Sequence, residues 1–210
     1  MSVRKLVVLG TASQVPTRYR NHNGYLLIWD EEGFLFDPGE GTQRQMIFSG
    51  VSASSITKIF ITHFHGDHCL GLAGIIQRLS LDKVKHTVQI FYPASGKVYL
   101  DNLKNASIFY NVARIEEFPI SEPGEIFKNK KISIEAHPLE HSVESWGYRI
   151  KEHDNYTMLP EKLSALGIFG PNISELKNKR TFTIGEQVVS IEDVSVSKSG
   201  QIFAFIMDTR

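Results

Sequence analysis

The most constraining stretch of this chain is Ile61-Thr62-His63-Phe64-His65-Gly66-Asp67-His68, where an apolar strand signal runs straight into three imidazoles and a carboxylate. In an extended backbone residues two apart share a face, so His63 and His65 address one point while Phe64 turns away into the packing. Gly66 lets the backbone turn, and Asp67 and His68 are then presented from the start of a following helix, a few ångströms on. The spacing is that of a chelate, and its division into two pairs suits two ions sharing one cleft. A solvated histidine-rich turn is the competing reading. The position at the C-terminal end of a strand, where α/β folds place their sites, favours metal.

Cys69 is the single cysteine, which excludes an internal disulfide and the paired-cysteine zinc patterns. A metal here is held by nitrogen and oxygen, a borderline-hard set that favours zinc, with manganese or iron open. His141, just before a strand signal, and Asp208, at the end of the last apolar run, are further candidate ligands. Taken alone each, like His137, reads more readily as a structural, turn or exposed residue than as a ligand, and only the first cluster raises their standing. Asp37, before Pro38-Gly39, reads either as a turn-former or as a carboxylate that orients a ligand histidine.

The chain has 210 residues, 41% of them hydrophobic, enough for one sizeable core. Its 23 basic and 23 acidic side chains cancel, so a polyanionic partner needs positive charge gathered locally. Arg18, Arg20, Lys177, Lys179 and Arg180 are candidates for phosphate contact, although surface cations are commonly just solvated. No apolar run reaches the roughly 20 residues that span a bilayer, and MSVRKLVVLG is too short for a secretory signal, so no membrane partner and a cytoplasmic location are expected.

The periodicity predicts strands at Lys5–Gly10, Gly24–Trp29, Phe34–Asp37, Lys58–Thr62, Val88–Tyr92, Ile132–Glu135 and Ser145–Ile150, with helices at Thr42–Phe48 and Leu70–Leu81. This is an α/β layout of sheet and helix layers. Lys151–Arg180, punctuated by Pro160, Gly167, Gly170 and Pro171, reads as a protruding insertion rather than core. Gln201–Met207 reads as a strand buried on both faces, and its closeness to the last residue suggests a chain truncated at the C-terminus.

The signature His-x-His-x-Asp-His at His63, His65, Asp67 and His68 resembles that of the metallo-β-lactamase superfamily. Within it, the chain is similar to the ribonuclease Z (tRNase Z) family from end to end. The discriminating segments are Leu9-Gly-Thr-Ala-Ser-Gln-Val-Pro-Thr with Arg20-Asn21, Phe36-Asp-Pro-Gly-Glu-Gly-Thr-Gln, Gly71-Leu-Ala-Gly after the signature, and His141-Ser-Val-Glu-Ser-Trp-Gly-Tyr. The resemblance implies a four-layer αββα sandwich, here a single domain over 1–210 with its second half incomplete. Residues 155–180 then form an inserted flexible arm that grips tRNA. Phe169 before Gly170-Pro171, and Asn178-Lys179, depart from the pattern expected for that arm.

The resemblance further implies two zinc ions per subunit, one on His63, His65, His141 and Asp208, the other on Asp67, His68 and a bridging Asp208. A further histidine expected for the second ion is absent, so this chain is expected to hold at most one ion tightly. Asp67 is implied as the catalytic proton acceptor for the attacking water. The implied activity is endonucleolytic removal of the 3′ trailer from precursor tRNA, leaving a 3′-hydroxyl, by a homodimer. Two alternatives stay open: another superfamily hydrolase acting on a small ester, thioester or cyclic phosphodiester, and an inactive metal- or RNA-binding fragment.

Overall fold

The apolar residues in the first half of the chain form strands of which the inner ones, at Phe34–Phe36 and Ile59–Phe60, are buried on both faces. The computed structural model describes residues 3–210. Met1 and Ser2, which open the segment read as too short for a signal, lie outside the described residues. The chain divides into two compact units, one running up to Ile126 and including Glu135–Arg149 and Ala204–Arg210, the other comprising Phe127–Ile134 and Ile150–Phe203.

In the first unit, β1 (Arg4–Gly10), β2 (Gly24–Trp29), β3 (Glu32–Phe36), β4 (Lys58–Phe60), β5 (Thr87–Pro93) and β6 (Arg114–Ile120) form one sheet in that spatial order. The pairs β1–β2 and β2–β3 are antiparallel, and β3 to β6 are parallel. Helices α1 (Thr42–Phe48), α2 (Gly66–Cys69), α3 (Leu72–Leu81) and α4 (Lys97–Lys104) lie between these strands in the chain. On α3, Leu72, Ile75, Ile76 and Leu79 recur at the spacing of one helical face, and all are buried in a cluster with Leu35, Ile59, Ile61 and Ile90.

The alternate residues of the same strands face the other way. Phe36, Phe60, Phe91 and Phe118 are register partners on β3 to β6. Their rings stack at centroid distances of 5.0, 5.0 and 4.8 Å. Phe205 extends the stack at 4.5 Å from Phe36, and Tyr148 leans on Phe60 at 4.9 Å. Burying both sides in this way explains why Ile59, Phe60 and Ile61 follow one another without a polar residue between them. A second sheet, in the order β14-β9-β8-β7, comprises β7 (Gly124–Lys128), β8 (Ile132–Leu139), β9 (Ser145–Glu152) and β14 (Ile202–Phe205).

The second unit holds two antiparallel pairs, β10 (Asn155–Met158) with β13 (Ser195–Lys198) and β11 (Thr181–Ile184) with β12 (Gln187–Ser190), besides α5 (Pro160–Ala165) and α6 (Pro171–Lys179). Each helix begins with a proline, whose missing N–H costs nothing at a helix start. Leu163, Ile168 and Leu176 pack with Val189, Ile191 and Val194. Residues 155–180 therefore supply the first half of a small core that residues beyond Arg180 complete.

Three expectations are corrected. The helix expected over Leu70–Leu81 is α3 and starts two residues later, at Leu72, separated from α2 by Leu70 and Gly71, because Gly71 sits against the backbone of residues 38–39. A Cβ there would lie 2.0 Å from the Gly39 carbonyl oxygen, and the Gly71 amide donates to the Pro38 carbonyl at 2.9 Å. The strand expected over Phe34–Asp37 stops at Phe36, since Asp37 takes a left-handed φ of 44°. The last strand is not buried on both faces: β14 is an edge strand, with Phe205 6% exposed but Ile202 59% exposed. Strands β6 and β7 and helix α4 were not anticipated, because charged residues interrupt their apolar patterns.

Candidate metal centre

The cleft residues are fixed from behind by a buried carboxylate. Asp37, fully buried, accepts from the Thr62 amide at 2.7 Å, the Thr62 hydroxyl at 2.7 Å and His68 Nδ1 at 2.8 Å. Its left-handed backbone is one that aspartate tolerates better than most residues and that clusters at functional sites. Of the two readings left open for Asp37, the structure supports the orienting carboxylate. Because the single hydroxyl proton of Thr62 goes to Asp37, its oxygen is left to accept from His63 Nδ1, 2.9 Å away. Both buried histidines are thereby assigned as Nδ1–H tautomers by the network, and their Nε2 lone pairs point forward.

Complete burial drives the Asp37 carboxyl pKa upward against the donors from His68 and Thr62. For His68 burial acts the other way, but Asp37, Asp67 and Asp208 outweigh it and raise the imidazole. Burial, reinforced by His68, His65 and His141, pushes His63 down to about 3. That ring is neutral at physiological pH.

In front of this layer the donor atoms converge. His63 Nε2 is 3.0 Å from His65 Nδ1, which is 3.2 Å from His141 Nε2. The ligand atoms of His63, His65 and His141 all lie within 4.8 Å of one another, and so do those of His63, His68 and Asp208. His63 belongs to both groups. Asp208 Oδ2 stands 3.9 Å from His63 Nε2 and 3.4 Å from His68 Nε2, a position between the two. Asp67 Oδ2 approaches His68 Nε2 at 3.4 Å. His137 is elsewhere, exposed and paired with Glu135 at 3.2 Å.

A divalent cation fits this arrangement. His63 Nε2 carries no proton and faces the ring nitrogens of His65, His68 and His141 and the carboxylate of Asp208, a nitrogen and oxygen donor set of the kind that holds zinc. The nearby Cys69 is buried and its thiol is pushed up to about 12, so it remains protonated and outside the donor set.

Sequence reasoning missed Asn23, whose side-chain amide lies 3.1 Å from His68 Nε2, and His22, whose Nε2 lies 3.2 Å from the Gln14 carbonyl. Both are buried, and neither stands in a spacing that marks it. Arg18 and Arg20 line a surface cavity of about 470 Å³ together with Arg44 and Glu40. In the second unit Lys179 pairs with Glu175 at 2.7 Å, and Arg180 pairs with Glu192 at 2.5 Å while lying over the Tyr156 ring. Among the described residues no helix is long and apolar enough to cross a membrane.

Residues 17–157 match the family model of the metallo-beta-lactamase superfamily. Ribonuclease Z of Nocardia farcinica is 56% identical over the whole chain, which spans 69% of that protein. Ribonuclease Z of Chlamydia trachomatis serovar L2 is 44% identical, again over the whole chain and 69% of its own length. Among solved structures, the short form of human tRNase Z superposes with a TM-score of 0.63 and 29% identity, over 70% of this chain and 64% of that one. A long-form yeast RNase Z, at 13% identity and a TM-score of 0.57 over 83% of this chain and 31% of its own, shares the fold. The chain has the metallo-β-lactamase fold and a divalent-metal site, and it belongs to the ribonuclease Z family of the metallo-β-lactamase superfamily.

Proposed function

We propose that this chain carries the catalytic centre of an endoribonuclease that removes the 3′ trailer from precursor tRNA, working with zinc in the cytoplasm as a homodimer. The observation that carries the reading is the pair of ligand groups joined at His63, in a chain 56% identical to a ribonuclease Z. In this reading His63, His65 and His141 hold one ion, His68 and Asp67 address a second, and Asp208 lies between them.

Bound there, a divalent cation supplies a water of lowered pKa and a positive charge to offset that developing on the phosphodiester. The protein's own residues do the rest. Asp37 and Thr62 fix the two buried tautomers, so the Nε2 lone pairs of His63 and His68 are aimed without further reorganisation. Asp67, 6% exposed and next to His68, accepts the proton of the attacking water and carries it away from the scissile bond. Cleavage on the 3′ side of the mature tRNA end leaves a 3′-hydroxyl on the tRNA and a 5′-phosphate on the trailer.

Residues 155–180 act as the tRNA-gripping arm, with exposed Lys177 and Lys179 on the last turn of α6 available to phosphates. Recognition through backbone and shape suits a chain with no base-reading motif.

The deciding experiment incubates the zinc-loaded protein with precursor tRNA and follows release of the 5′-phosphorylated trailer, with metal content measured in parallel. Trailer release that is lost in His65→Ala supports the proposal. Hydrolysis of a small ester or thioester without any trailer release would sink it.

A further inference from the structure

His141 is a ligand candidate that lies outside the strands and helices. His68 is carried on α2, and His63 and His65 lie in the short segment between β4 and α2, whereas His141 sits in the irregular stretch between β8 and β9. Its Nε2 is nevertheless held 3.2 Å from His65 Nδ1. The question is what sets that distance.

Glu144, three residues on, reaches out of the same stretch to two donors. Its Oε2 accepts from the backbone amide of Ser95 at 3.1 Å, and its Oε1 accepts from the Trp146 indole at 3.0 Å. Ser95 belongs to the short 3₁₀ turn Ala94–Gly96 that follows β5 and leads into α4. The Trp146 amide in turn donates to the Thr62 carbonyl at 2.9 Å, at the start of the histidine cluster.

The other side of that turn holds the cluster directly. Phe64, between His63 and His65, packs onto Gly96 so closely that a Cβ there would lie 2.0 Å from the phenyl ring. Its ring also meets Tyr92 and Tyr99 at centroid distances of 6.2 and 5.8 Å. One three-residue turn therefore anchors His63 and His65 through Phe64 and the His141 stretch through Glu144.

We propose that Glu144 is a positioning residue that sets His141 against His63 and His65, by bridging the Ser95 amide and the Trp146 indole. A carboxylate suits this role because both partners are donors and each oxygen takes one. Glutamine at the same place offers one acceptor and turns an NH2 group towards the other donor. The inference rests on the metal-site reading above, since a fixed His141 matters only if it is a ligand.

The test measures metal affinity rather than turnover. Cobalt(II) is titrated into the metal-free protein, its visible absorption spectrum is recorded, and affinity is determined by chelator competition. The proteins compared are wild type, Glu144→Ala, Glu144→Gln, Trp146→Phe and His141→Ala. Removing a group that orients a ligand weakens metal affinity about 10- to 100-fold. Glu144→Ala is expected to lose affinity on that scale and to move the cobalt spectrum towards that of His141→Ala. Glu144→Gln and Trp146→Phe, each keeping one of the two anchors, are expected to fall between.

Wild-type affinity and spectrum in Glu144→Ala would overturn the inference while leaving the metal site intact. Absence of cobalt binding by the wild-type protein would overturn the metal-site reading itself. Should Glu144→Ala fail to fold, the two milder variants decide: intermediate affinity in both supports the positioning role, and wild-type affinity in both refutes it.

Discussion

In the first unit the polar side chains at the cleft are themselves buried: His63, His68 and Asp37 are all inaccessible to solvent, backed by stacked phenylalanines on one sheet face and by α3 on the other. In the second unit the charged side chains of α6 stand on the outside of a small aliphatic core made by Leu163, Ile168, Leu176, Val189, Ile191 and Val194. Groups that must meet within a few tenths of an ångström are mounted on strand ends, where the backbone is already fixed. Groups that meet a flexible polyanion need only be exposed and positive. The division of labour proposed here, chemistry in the first unit and tRNA grip in the second, follows that difference in construction.

The sharpest test is the loss of a single cleft side chain. Asp67→Ala is expected to lower precursor-tRNA cleavage by about 10² to 10⁴, the range for loss of a positioned proton acceptor, with thermal stability nearly unchanged. Cleavage rates and melting curves on the same samples check it. A large fall in stability alongside would recast Asp67 as structural.

The two cores can be broken separately. Phe60→Ala removes the central ring of the stack and should cost about 3–5 kcal/mol in denaturant unfolding. Leu176→Ala should cost about 2–5 kcal/mol but loosen chiefly the second unit, leaving metal binding at wild-type level. Hydrogen exchange by segment distinguishes these outcomes. Metal binding lost in Leu176→Ala would end the claim that the units are separable in function.

Excising residues 156–197 is the corresponding test of the grip. Asn155 and Lys198 are cross-strand partners on β10 and β13, so a short glycine-containing turn can join them. Precursor-tRNA binding is expected to weaken tenfold or more, while hydrolysis of a small aryl phosphodiester stays within a few-fold. Unchanged tRNA affinity would remove the arm assignment.

Smaller effects come from charge. In the metal-free protein the folded His63 resists protonation down to about pH 3, whereas the same ring in the unfolded chain takes a proton near 6.5. The unfolded state therefore binds more protons between these values, and stability should decline as pH falls from about 6.5 towards 3. Melting temperature against pH, with and without His63→Gln, reads this out. At the lower limit, Glu175→Ala breaks an exposed i,i+4 pair with Lys179 and should change stability by less than about 0.5 kcal/mol.

By itself the sequence determined the chemistry that is local in the chain. The alternation that brings His63 and His65 to one face, the turn at Gly66 and the apolar face of α3 all follow from backbone geometry over a few residues. Resemblance of motifs carried this to the family, and through it strengthened His141 and Asp208, for which local position alone is a weak signal. Only the tertiary structure decided what stands behind the ligands. Asp37 and Thr62 are 25 positions apart in the chain, and Glu144 and Ser95 are 49 apart, so their hydrogen bonds leave no periodic trace.

The same holds for the misplaced boundaries. The break before α3 comes from Gly71 meeting the backbone of residue 39, and Ile202 is exposed because it shares with Ala204 the uncovered face of β14. Local pattern reports which residues favour burial or metal. Where a side chain is aimed, and what holds it there, depends on partners that come together only when the chain has folded.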